Sequence, residues 1–69
     1  MTPARLAACL ATIGWSRREL GRRLGLEAGR PEHWAQGRRP IPPAVTAWLE
    51  ALAAEVARHP APQVRSISA

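Results

Sequence analysis

The sequence predicts an all-α fold, a compact bundle of four to five short helices, on three observations. Apolar residues recur at helical spacing, as Leu6, Leu10 and Ile13 do at i, i+4 and i+7. Residues that start and stop helices divide the chain into four segments of helical length and a tail. The 69 residues suffice for one small domain and leave no room for a second. A chain this short buries only about 60% of the surface its unfolded form exposes, so its core is marginal.

Thr2 and Pro3 open the first segment, Thr as N-cap and Pro at the first helical position, and Gly14 supplies the stop. Cys9 falls three residues from Leu6 and reads as a small core residue rather than a reactive thiol. Ser16 to Glu19 then spells a capping box, in which the Ser hydroxyl accepts from the Glu19 amide and Glu19 reaches back to the Ser16 amide. Trp15 and Leu20 are spaced as a hydrophobic staple around that cap. Leu20 and Leu24 form the buried stripe of the second helix, and Gly25 ends it. The third segment, 26 to 37, is ambiguous at its start. A helix capped at Glu27 puts Pro31 in the fourth position and loses a hydrogen bond. A helix starting at Pro31 leaves residues 28 to 30 as an extended loop, and this start is preferred. On either reading His33, Trp34 and Gln36 are helical and Gly37 caps the end.

Three prolines among residues 40 to 43 exclude a helix there, and Pro42 or Pro43 opens the longest one, to about Arg58. Val45, Trp48, Leu49, Leu52 and Val56 make its core stripe. Ala47, Ala51 and Ala54 form a second apolar strip on the other side. A helix apolar nearly all round wants burial on two sides, so Ala47, Trp48, Ala51 and Ala54 are candidates for an interface between two copies of the chain. The domain is thus expected over residues 1–59. Residues 60–69 are a tail that is either disordered or ordered on dimerisation.

Composition narrows the function. Ten Arg against five Glu give a net charge of +5, with no Lys and no Asp. A genome-wide bias accounts for Arg in place of Lys but not for the twofold excess of basic residues. No apolar run approaches the ~20 residues a membrane span needs, and Arg5 interrupts what would be a signal peptide. A single Cys makes no internal disulfide. His33 and His59 lack metal-ligand spacing, and no phosphate loop, carboxylate pair or activated nucleophile assembles. The expectation is therefore a cytoplasmic, non-enzymatic module without cofactor or metal that attracts something anionic.

A helix, a tight turn containing Gly and a second short helix make a helix-turn-helix. The run Ser16-Arg-Arg-Glu-Leu-Gly-Arg-Arg-Leu-Gly25-Leu26, followed by His33-Trp34-Ala-Gln-Gly37-Arg-Arg-Pro-Ile41-Pro, resembles the lambda-repressor/Cro-like DNA-binding family over roughly residues 4 to 57. Gly21 stands where the family places a small residue under the crossing helix. Leu24 and Leu26 flank the turn glycine, and Trp34 is the late apolar anchor. Departures are equally specific. Pro31 replaces the usual Val or Ile, Arg17 replaces a frequent Gln, and Ala28 and Gly29 stand where polar readers of base edges are usual.

The resemblance implies a sequence-specific transcriptional repressor that binds an inverted repeat of double-stranded DNA as a homodimer. It would autoregulate its own operon, with no small-molecule effector. Small free-standing members of the family resemble phage or mobile-element regulators, including those that accompany anti-CRISPR genes. Arg17, Arg18, Arg22, Arg38 and Arg39 would meet phosphates at the margins of the recognition helix. Arg30 and His33 would face the groove. Glu32 either accepts from a cytosine amino group or complements the helix dipole. The rival expectations are a protein-interaction module or antitoxin whose last helix binds a partner protein, and, more weakly, a basic peripheral membrane binder.

Overall fold

The structure, a computed structural model, describes residues 1–27 and 29–62, and its regular elements are four helices in the order α1 (Pro3–Ile13), α2 (Arg17–Leu24), α3 (Arg30–Ala35) and α4 (Pro43–Ala57). The fold is the all-α bundle that the sequence predicts. α1 packs chiefly along α4, and α3 lies across both α1 and α2. No helix among the described residues is long and apolar enough to cross a membrane.

Each start follows from local chemistry. Thr2 Oγ1 accepts from the Arg5 amide at 3.0 Å, and Pro3 fills the first helical position, where its missing N–H has no partner to lose. Ser16 Oγ accepts from the Glu19 amide at 3.0 Å. The other half of the expected capping box does not form. The Glu19 carboxylate turns instead to the guanidinium groups of Arg22 and Arg23, because a charge-assisted bond to arginine is stronger than one to a neutral amide. Gly25 closes α2 with a left-handed φ of 67°, a conformation that costs a residue bearing Cβ roughly 1–2 kcal/mol. The Leu26 amide then reaches back to the Gly21 carbonyl at 2.9 Å.

The start of α3 is settled between the two readings. Pro31 is the second residue of the helix, where no backbone bond is forfeited. Residues 29 and 30 are not extended as expected, however. The Arg30 amide donates to the Glu27 carbonyl at 3.1 Å, and this turn leads Gly29 through an αR conformation into the helix. α3 also closes one residue early. Gln36 is the cap rather than a helical residue, and Gly37 follows with φ 74°.

Leu6, Cys9 and Leu10 from α1, Leu20 from α2, Trp34 from α3 and Leu49 from α4 meet in one core with Ile41 and Ala53. Leu6, Leu20 and Leu49 are at most 1% exposed, and each fully buried leucine stabilises by about 1.5–3 kcal/mol. The expected stripe of α4 needs one correction. Its buried line includes Leu49 and Ala53, whereas Val56 stands 38% exposed. Residues 60–62 are exposed and irregular, and the expectation for the rest of the tail falls on residues 63–69, outside those described.

Candidate nucleic-acid interface

One contact sets how α3 sits on α2. Gly21 is buried in the middle of α2, and a Cβ placed there would lie 3.2 Å from Cγ and 3.6 Å from Cδ of Pro31. The pyrrolidine ring thus rests on bare backbone. Pro31 is fully buried.

The basic side chains divide into two sets. Arg5 pairs with Glu50, Arg17 with Glu32, Arg22 and Arg23 with Glu19, and Arg58 with Glu55. Hydrogen bonds from Arg22 and then Arg23 pull the Glu19 carboxyl down to about 2. The Arg5 hydrogen bond likewise holds Glu50 below its usual range. Arg18, Arg30, Arg38 and Arg39 have no carboxylate partner among the described residues. All four are exposed, and all belong to α2, the first residue of α3 or the loop after α3.

The predicted residues are therefore brought together unequally. Arg17 and Glu32 join at 2.7 Å and tie the first turn of α2 to the first turn of α3. Glu32 is thereby engaged within the protein, as is Arg22 on Glu19 at 2.6 Å. Arg38 and Arg39 edge a hollow of about 350 Å³ floored by Trp34 and Ile41. Arg18 lines a recess with Gly21, Arg22 and Leu26. His33 is half-buried on α3. Ala28 lies outside the described residues.

On α4 the alanines at 47, 51 and 54 are exposed, whereas Trp48 is half-buried, its ring 5.6 Å from that of Trp15 at an interplanar angle of 44°. Arg23 lies 4.6 Å over the Trp15 ring, so this arginine ties α2 to the aromatic pair as well as to Glu19. Sequence reasoning assigned Arg23 no role, although its spacing of four from Glu19 is visible.

Cys9 is buried, and that burial pushes its thiol pKa up, away from the thiolate that reactivity needs. Among the described residues no three His, Cys, Asp or Glu side chains gather where a metal ion could sit. Comparison with family models, curated proteins and solved structures finds no match to this chain.

Proposed function

We propose that this chain is a sequence-specific double-stranded DNA-binding protein that represses transcription, acting as a homodimer on an inverted repeat and autoregulating its own operon. One observation carries the reading: among the described residues, the four arginines without a carboxylate partner all lie on the α2–turn–α3 unit or the loop that follows. A guanidinium already bonded to carboxylate has less to gain from a phosphate, so the unpaired set marks where a polyanion binds best. These side chains position the duplex, and the exposed side of α3 enters the major groove.

The exposed alanine face of α4 supports the pairing of two copies, which would hold the two α3 helices about 34 Å apart, one turn of DNA. That same face and the exposed Val56 favour a second reading, in which α4 docks another protein, as an antitoxin docks its toxin. Footprinting on the DNA upstream of the chain's own coding sequence separates the two. A protected, two-fold symmetric site supports the repressor. No protection at low salt, together with a stable complex with a neighbouring gene's product, supports the interaction module.

A further inference from the structure

Resting on the DNA-binding reading, we infer that sequence readout has moved to the C-terminal end of α3, where Gln36 reads an adenine beside His33. Apart from Arg30, which belongs to the unpaired set that meets phosphates, the N-terminal end of this helix has little to read with. Gly29 has no side chain, and a Cβ built there meets nothing within 4 Å. Pro31 is buried against Gly21. Glu32 is engaged by Arg17 at 2.7 Å and lies on the side of α3 that faces α2.

The core side of α3 carries Pro31 and Trp34, three residues apart. Gly29, His33 and Gln36 follow at i, i+4 and i+7 along the free side. Gln36 is exposed, and its amide nitrogen donates to the Glu32 carbonyl at 3.0 Å, which holds the cap in a helical conformation. The Gln36 backbone is therefore fixed while its side chain has no hydrogen-bond partner among the described residues. Arg38 and Arg39, two and three residues on, supply phosphate contacts next to it.

The chemistry selects the base. A glutamine amide presents one donor and one acceptor side by side, which matches N7 and the N6 amino group of adenine in the major groove. Gly29 assists by omission: without a side chain the first turn of α3 lets the helix lie close to the bases.

Selection from a randomised duplex pool, followed by sequencing, tests the inference with the full chain, Gln36→Ala and Gln36→Glu. The wild type is expected to enrich a site with a fixed adenine in each half. Gln36→Ala should lose that preference, about five- to 150-fold in discrimination, while retaining affinity for unselected duplex within about twofold. Gln36→Glu should exchange the adenine for cytosine, whose N4 amino group a carboxylate accepts from. Because Gln36 is exposed and outside the last helical residue, unchanged circular dichroism is expected for both variants. An adenine retained in the Gln36→Ala pool overturns the inference and leaves DNA binding standing. Duplex binding by the wild type with no enriched base overturns readout at α3 altogether. No duplex binding by the wild type overturns the DNA-binding reading and this inference together.

Discussion

Replacing Gly21 with alanine sets two effects of opposite sign against each other in the middle of α2. Alanine is favoured over glycine in a helix interior by about 1 kcal/mol. The added methyl would however lie 3.2 Å from Cγ of Pro31, inside the 3.5–4.0 Å at which carbon atoms pack comfortably. The obstacle is a ring on a buried residue, so relief comes only from a change of ring pucker or a small shift of α3 away from α2. Overpacking of this kind costs roughly 1–3 kcal/mol. The net expectation for Gly21→Ala is a change between neutral and about 2 kcal/mol destabilising, with each kcal/mol lowering Tm by roughly 4–8 °C in a domain this size.

The reasoning is exposed by a double-mutant cycle. In a Pro31→Ala background the overlap is gone, and Gly21→Ala should stabilise by about the full 1 kcal/mol of helix propensity. Urea unfolding of the four proteins, followed by circular dichroism, measures a coupling of roughly 1–3 kcal/mol. Equal effects of Gly21→Ala in both backgrounds would refute the close seating of α3 on α2.

Further expectations follow from the same contacts. The Thr46 hydroxyl is buried with no hydrogen-bond partner among the described residues, so Thr46→Val should stabilise by about 1 kcal/mol in thermal melts, and a loss of stability would show that the hydroxyl is satisfied. Arg22 and Arg23 hold the folded Glu19 carboxyl near 2 against an ordinary 4.5, so its contribution is present above about pH 4.5 and fades as pH falls toward 2. Unfolding measured across that window should show a flatter pH dependence for Glu19→Gln than for the wild type. With four arginines unpaired among the described residues of each protomer, log Kd should vary with log salt with a slope of magnitude about 3.6 per protomer, and Arg39→Ala should lower it by about one. Arg30→Ala should lower that slope likewise and leave the selected sequence unchanged, as competition between selected and unselected duplex would reveal.

Much of the fold was legible because its punctuation is chemical and local. Thr2, Pro3, Ser16 and Gly25 act within three or four residues of themselves, and each does in the structure what its spacing predicts. Glu19 shows the limit of that logic. Its capping partner and its two arginines are all within one turn, and the stronger donors win, so a motif read in isolation named only half of the bonding. Val56 fits the core stripe by period, but its burial depends on what packs against the last turn of α4, a tertiary fact no single helix records. Among the arginines, Arg17 and Arg18 look alike in sequence. Only a carboxylate fifteen positions along the chain, brought alongside by the turn between α2 and α3, distinguishes them.

The aromatic inventory gives the molecule an optical gauge of its own geometry. The chain has three tryptophans and neither tyrosine nor phenylalanine, so its near-ultraviolet spectrum comes from indole alone. Two of those indoles, Trp15 and Trp48, form a tilted pair capped by the Arg23 guanidinium, while Trp34 sits 2% exposed on α3. Prying the turn between α1 and α2 from α4 would uncouple the pair and change circular dichroism in the indole band. Lifting α3 would wet Trp34 and shift its emission to the red. A single unlabelled sample can therefore report whether that turn or α3 moves when a ligand arrives.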